Sequence, residues 1–352
     1  MEEIRYKRQI QLNEIGEPGQ KKIKNASVLV VGSGGLGCPI LMYLTGAGIG
    51  KIGIMDPDIV TLSNLQRQIL FTEKDIGKNK AICAQKHLQK MNSKIKLKAF
   101  PIKLTHENAT KYFYEFDIIV DGTDNFYSRY LISDQCILHN KIMIYGAIQK
   151  FEGQISVFNY RNGPSYRCLF PTPPKVGEIP NCQDIGVLGV APGIIGILQA
   201  TEIIKVILDL DGILTGKLFV LDLLNHKNSI LDFKKNQKEI DKIKNQGKTI
   251  PIENNDCHIN IEISLNQIHL KEEIVWIDVR ETDELPRLTK LSPLKKPISI
   301  NSLKKSRYKI IAFCQTGLRS KSFIKMIKDQ GIRNCFSLKE GAEQLYNWVL
   351  KN

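Results

Sequence analysis

Short apolar runs bounded by glycine, proline or acidic residues alternate with longer segments whose apolar positions recur every three or four residues, the periodicities of strands and helices in turn. The first run, Val28 to Val31, leads from Ser27 into a glycine loop and then an apolar helix from Leu36 to about Ala47; a second strand is expected from Lys51 to Met55. Further helices are expected at Lys78 to Met91 and Thr105 to Tyr114, and strands at Ile95 to Phe100, Asp117 to Val120, about Ile142 to Tyr145, and Gln154 to Phe158. Pro192 opens a helix of apolar period from Gly193 to Leu208, and strands near Leu218 to Leu221 and Ser229 to Phe233 follow. Residues 2–12 set Ile4, Ile10 and Leu12 among Arg5, Lys7 and Arg8, which predicts a short amphipathic helix ending before Gly16. The alternation predicts an α/β, Rossmann-like fold with a mixed sheet.

A chain of 352 residues is longer than one hydrophobic core usually serves, so two domains are expected. From Lys234 to Glu253 the chain is charged and poor in apolar residues, which reads as a linker. A second, smaller α/β pattern starts near Ile259, with strands at Ile274 to Asp278 and Lys309 to Phe313 and a helix carrying Phe323, Ile324 and Ile327. The expected boundaries are 1–235, a linker 236–256, and 257–352. Within the first domain, Asn159 to Ile185 is too rich in proline, glycine and polar residues for an ordinary connection and reads as a lid or binding segment; it holds Cys168 and Cys182.

Composition narrows the classes. No apolar run approaches the roughly 18 residues that span a bilayer, and Met1 to Arg5 is polar rather than signal-like, so a cytoplasmic protein without a membrane partner is expected. The eight cysteines stand singly, as suits a reducing compartment. The net charge of +14 is spread over lysine-rich helical faces, with no basic stripe interleaved with aromatics, so an acidic partner protein fits better than nucleic acid.

The glycine loop Gly32-Ser33-Gly34-Gly35-Leu36-Gly37 lies between a strand and a helix start, where backbone N–H groups meet phosphate directly. Asp56 closes the second strand about 20 residues on, where a ribose hydroxyl is expected. Ser63 is expected to cap a short helix presenting Asn64 and Arg67 on nearly one face. Lys80 falls in the first turn of its helix, where a cation is poorly placed for the dipole; it is either a triphosphate ligand or one more solvated lysine. Asp121 and Asp124 end a strand at the same crevice, and either is a Mg²⁺ partner or a cap for the next helix. In the second domain Cys314 sits at a strand end before Gly317 and Arg319, a field of N–H groups and positive charge that favours the thiolate.

Taken together, Arg5-Tyr6-Lys7-Arg8-Gln9, the glycine loop, Ser63-Asn64-Leu65-Gln66-Arg67-Gln68, Lys80 and Thr123-Asp124-Asn125 resemble the E1-like adenylyltransferases of the MoeB, ThiF and HesA group, over residues 5 to about 233. The resemblance implies ATP- and Mg²⁺-dependent adenylation of the C-terminal Gly-Gly carboxylate of a ubiquitin-like sulfur carrier, MoaD- or ThiS-like. It implies that Gly32, Gly34, Gly35, Gly37, Asp56, Asp58, Asn64, Arg67, Gln68 and Lys80 surround the nucleotide and that Asp124 holds Mg²⁺. Arg8 would reach the triphosphate of the other subunit in a homodimer. Residues 257–352 resemble a rhodanese-like sulfurtransferase domain through Asp278-Val279-Arg280-Glu281, the Cys314 loop, Gly341 and Trp348, and the four residues between Cys314 and Arg319 match the shorter, sulfurtransferase form of the loop. That implies a Cys314 persulfide loaded by a donor such as a cysteine desulfurase or thiosulfate.

Two features depart from these families. The first of the usual Cys-x-x-Cys pairs is reduced to Ser165-Tyr166-Arg167-Cys168, and no cysteine follows Phe233 until Cys257, which speaks against structural zinc. Glu284-Leu285-Pro286-Arg287 stands where the usual glycine-histidine segment is missing. Cys182 matches a crossover-loop cysteine that links covalently to carrier or persulfide in some relatives, against the reading of a passive loop thiol. Two other functions share parts of the pattern: an NAD-dependent oxidoreductase, which leaves Arg8, Arg67, Lys80 and Asp124 unexplained, and a carrier-binding scaffold with an inactive second domain.

Overall fold

The computed structural model describes residues 2–174, 186–247, 262–268, 273–281, 283–295, 299, 302–303, 308–332 and 334–351. The chain divides into two compact units, Met1–Glu253 and Asn254–Asn352.

The first unit is built on an eight-stranded mixed sheet in the order β3-β2-β1-β4-β5-β6-β7-β8, with β1 Ser27–Val31, β2 Lys51–Met55, β3 Lys96–Phe100, β4 Ile118–Asp121, β5 Ile142–Gln149, β6 Glu152–Phe158, β7 Lys217–Asp222 and β8 Lys227–Asp232. β1 to β5 run parallel, and β6, β7 and β8 join them antiparallel. Every residue of β1 is buried, because the alternating faces of the parallel strands are both covered. Val28, Val30, Ile52, Ile54, Ile118 and Val120 pack with helices Gly37–Ala47, Lys80–Met91 and Val190–Leu208. Leu29, Val31, Met55 and Ile119 pack on the other face with helices His106–Phe113 and Phe126–Leu138. The strand order reverses between β1 and β4, and ligands of open α/β sheets bind outside the carboxyl ends of strands at such a switch point.

Several expectations need correction. Helix Val190–Leu208 is long and apolar enough to cross a membrane by length and composition, contrary to the expectation that no run comes near it. Here it is a core helix lying on β5, β6 and helix Gly37–Ala47, and packing against both sheet and helix accounts for its high apolar content. Helix Gly16–Asn25 was not expected, since its only apolar residue is the fully buried Ile23. Ser63 caps nothing: it lies inside a single 3₁₀ turn, Leu62–Asn64, that starts from the extended residue Thr61. The presumed linker carries helix Gln237–Gln246, whose Ile240 and Ile243 are buried with Ile137 against the first unit. Two apolar residues at three-residue spacing suffice to dock a helix, and among so many lysines they were overlooked.

The second unit contains a parallel five-stranded sheet in the order β11-β10-β12-β13-β9, with β9 Glu262–Ile263, β10 Ile274–Asp278, β11 Leu294–Lys295, β12 Lys309–Phe313 and β13 Cys335–Leu338. Helices Leu318–Asp329 and Ala342–Lys351 accompany it. Ile277, Ile310, Ala312, Ile324 and Ile327 form one core, and Trp276, Ile311, Phe313 and Leu345 the other.

Candidate functional site

The glycine loop turns sharply off β1. Gly32 has φ +92°, and a Cβ there would sit 2.6 Å from the carbonyl oxygen of Gly122, at the end of β4. A Cβ on Gly37 would stand 2.1 Å from the Gly32 carbonyl oxygen. These two glycines are therefore required by backbone closing on backbone, at Gly32 between the β1 and β4 loops and at Gly37 within the glycine loop itself. At Gly34 and Gly35 the neighbours are side chains of the site. A Cβ on Gly34 would meet Gln68 Nε2 at 3.6 Å, and one on Gly35 would meet Pro192 at 3.0 Å and Arg67 Cδ at 3.6 Å. The start of helix Val190–Leu208 and the Asn64–Gln68 segment thus both reach the loop.

Asp56 is buried and fastened to the same loop. Its Oδ2 accepts from Ser33 N at 2.8 Å and Ser33 Oγ at 2.9 Å, and its Oδ1 accepts from Asp58 N at 2.9 Å. Burial raises its pKa despite nearby Lys80 and these N–H donors. Lys80 opens its helix, with Asn79 as the cap accepting from Ile82 N at 3.1 Å. Its side chain is only 7% exposed, and its ammonium reaches the exposed Asp58 carboxylate at 3.2 Å. A buried ammonium at a helix N-terminus is unfavourable unless an anion accompanies it, so the solvated-lysine reading is set aside. Arg67 donates to the Ser63 carbonyl at 3.2 Å, and the Asn64 carbonyl accepts from the N–H groups of Arg67 and Gln68. Gln68 is buried, and its Oε1 has no partner among the described residues.

After β4 the two aspartates separate by role. Asp121 is fully buried, accepting from Thr123 N at 3.0 Å, Thr123 Oγ1 at 2.6 Å and Arg129 Nε at 3.0 Å. Burial raises its pKa against the pull of Arg129. The cap of helix Phe126–Leu138 is neither aspartate but Asn125, which accepts from Ser128 N at 2.8 Å. Asp124 is exposed beside the crevice.

Arg8 is not part of this cluster. Its helix, Glu2–Ile10, is pinned at the opposite end of helix Gly37–Ala47: Gln9 donates to the Ala47 carbonyl at 3.2 Å, and the Tyr6 hydroxyl accepts from Asn92 at 2.8 Å. A helix of 11 residues is about 16 Å long, so Arg8 is remote from the glycine loop of its own subunit. The sequence reading missed Ser33, Arg129 and Gln199. Gln199 Nε2 donates to the Asp121 carbonyl at 2.9 Å; a glutamine directly after the apolar run Ile194 to Leu198 was the available signal.

In the second unit Cys314 is fully buried at the end of β12. Burial opposes its ionisation, but the Ser320 hydroxyl and the N–H groups of Ser320, Thr316 and Arg319 outweigh it and lower the thiol pKa. Ser320 Oγ lies 3.5 Å from Sγ and accepts from the buried Ser337 hydroxyl at 2.8 Å. A Cβ on Gly341 would sit 2.1 Å from the Gln315 carbonyl oxygen, so this glycine lets the next helix close on the loop. The Arg319 guanidinium is taken up by Glu284 rather than aimed at the sulfur. Cys182 lies outside the described residues. Cys168 is packed near Ile137 and Ile243 and accepts from Asn236 N at 3.2 Å, and among the described residues no cluster of three or more metal-ligating side chains occurs.

Fold and site together define an α/β protein with a nucleotide-type crevice at a sheet switch point. The chain belongs to the ThiF family, which matches residues 6–254. It is 52% identical over 218 residues to the adenylyltransferase and sulfurtransferase MOCS3 of Anopheles gambiae, covering 62% of this chain and 49% of that protein. It is 46% identical over 225 residues to a sulfur carrier protein adenylyltransferase of Thermus thermophilus, covering 62% of this chain and 83% of that protein. The chain thus spans about half the length of the MOCS3 relatives it matches. Among solved structures, MccB of E. coli with MccA-N7isoASN is similar at TM-score 0.59 and 23% identity, covering 67% of this chain and 73% of that one. MccB with ATP matches at 0.56 and 23%, covering 66% and 71%.

Proposed function

We propose that the chain adenylates the C-terminal glycine carboxylate of a ubiquitin-like sulfur carrier, MoaD- or ThiS-like, and then transfers sulfur to it from Cys314. The observation that carries the first step is the convergence of Arg67 and Gln68 on the glycine loop, with Lys80 close to Asp56, which that loop holds through Ser33. Buried Gln68 Oε1 is short of a partner there, which suits a ligand with donors to offer. ATP fits this set: the loop and Asn64 meet its phosphates, Asp56 and Asp58 stand at the ribose side, and Asp124 would hold Mg²⁺, which neutralises phosphate charge when bound. The carrier carboxylate, ionised at neutral pH, attacks the α-phosphorus and pyrophosphate leaves toward Arg67 and Lys80. Arg8, remote from its own loop, acts across a homodimer, and the exposed apolar side chains Ile59, Leu62, Ile69 and Ile76 beside the site support such a face.

The terminal sulfur of a Cys314 persulfide then attacks the acyl-adenylate and AMP leaves, giving an acyl disulfide. A second thiolate, for which Cys182 is the sequence's candidate, attacks the Cys314 sulfur of that acyl disulfide; the S–S bond breaks, the thiocarboxylate leaves with the electron pair, and the disulfide formed between the two cysteines is reopened by an external dithiol reductant. The donor that loads Cys314 is a persulfide-forming protein such as a cysteine desulfurase, or thiosulfate. Calorimetric titration separates this reading from an oxidoreductase sharing the glycine loop: MgATP is expected to bind in the micromolar range and NAD not to bind, and the reverse preference would sink it.

A further inference from the structure

The segment that replaces the usual glycine-histidine stretch is built into the Cys314 loop. Glu284 grips Arg319 with two parallel hydrogen bonds, Nη1 to Oε1 at 2.6 Å and Nη2 to Oε2 at 2.5 Å, the geometry in which guanidinium and carboxylate match best. Glu284 Oε1 also accepts from Glu281 N at 2.9 Å. Two residues on, the Pro286 carbonyl accepts from Arg280 Nη2 at 3.0 Å. Arg280 is itself buried, paired with Asp278 at 2.9 Å, and reaches Gln315 of the loop at 3.4 Å. The Glu284 carboxylate is thus held in place from both sides of its segment. Its hydrogen bonds from Arg319 and from Glu281 N–H keep its pKa near 2, so the pair stays charged at any working pH.

We propose that Glu284 sets the sulfur-donor specificity of Cys314. By filling the Arg319 guanidinium it denies that cation to small anionic donors and favours donors that present a terminal sulfane sulfur without an anionic head group. The proposal rests on the reading of Cys314 as a sulfur acceptor. With thiosulfate, the Cys314 thiolate attacks the outer sulfur, the new S–S bond forms as the S–SO₃ bond breaks, and sulfite leaves with the electron pair. The dianion must first displace a carboxylate and is repelled by it. With a persulfide R–S–S–H, the thiolate takes the terminal S–H and R–S⁻ leaves, with no dianionic head to accommodate. Glu284 acts through Arg319 and is a positioning residue.

Steady-state thiosulfate:cyanide sulfurtransfer by the full chain tests it, with 2-hydroxyethyl persulfide as the uncharged-head donor. Glu284→Gln keeps the shape and the acceptor for Glu281 N–H. It is expected to lower KM for thiosulfate, relative to that for the persulfide, by about tenfold, the scale of one charge-assisted bidentate contact, with kcat moving far less. Adding Arg319→Ala should reverse that gain. Glu284→Ala gives the same direction if the segment keeps its place. An unchanged or raised KM ratio in Glu284→Gln overturns the role of Glu284 alone. Failure to detect a Cys314 persulfide by mass spectrometry with either donor, in wild type and variant alike, overturns the sulfurtransferase reading and the proposal with it.

Discussion

Lys80→Met is expected to lower carrier-dependent ATP–pyrophosphate exchange by about a hundredfold or more, the usual loss when a preorganised charge facing a developing anion is removed. Lys80 is the one buried lysine among the described residues and stands at a helix N-terminus, paired with the exposed Asp58 carboxylate and near that of Asp56. That position costs stability in the free protein, and a triphosphate turns the cost into binding. Methionine fills nearly the same volume, and Asp58, 66% exposed, remains solvated. The variant should therefore unfold at or above the wild-type temperature while its exchange collapses. Arg67→Ala should lose exchange on a similar scale, since its stem lies against Gly35. Retention of full exchange by both variants would place the nucleotide elsewhere.

The second large effect separates the two chemistries. Cys314→Ser should abolish thiocarboxylate formation, read as the mass gain of one sulfur on the carrier, while ATP–pyrophosphate exchange continues at close to the wild-type rate. Loss of exchange in this variant would contradict the division of labour. The pH dependence carries a further test, because the thiol pKa is lowered by the Ser320 hydroxyl and loop N–H groups against the effect of burial. A hydrogen bond to the thiolate favours the charged form. Removing it in Ser320→Ala should raise the pKa, so the rising limb of sulfur uptake against pH moves to higher pH. A shift to lower pH would show that the hydroxyl stabilises the neutral thiol instead.

Much of this was legible in the sequence. β1 and β2 follow directly from runs bounded by Ser27, Gly32 and Asp56, because strands buried on both faces are apolar throughout. Lys80 was conspicuous as a cation at the wrong end of a helix. What the sequence did not disclose were partners separated along the chain. Glu284 and Arg319 are 35 residues apart, and no local pattern foretells that a carboxylate replacing the usual segment will seize the loop arginine. Helices Gly16–Asn25 and Gln237–Gln246 escaped notice because each buries so few apolar side chains that periodicity has nothing to count. The roles of Gly32 and Gly37 also shifted. The missing Cβ of Gly32 lets the β1 and β4 loops touch and that of Gly37 lets the glycine loop close on itself, requirements of the fold that shape the crevice before any phosphate arrives.

The most direct measurement is ATP–pyrophosphate exchange by the full chain with small ubiquitin-like carriers ending in Gly-Gly. Exchange should appear only with carrier and Mg²⁺, and should vanish when the final glycine carboxylate is removed or amidated. Exchange that no carrier stimulates would contradict the account at its centre.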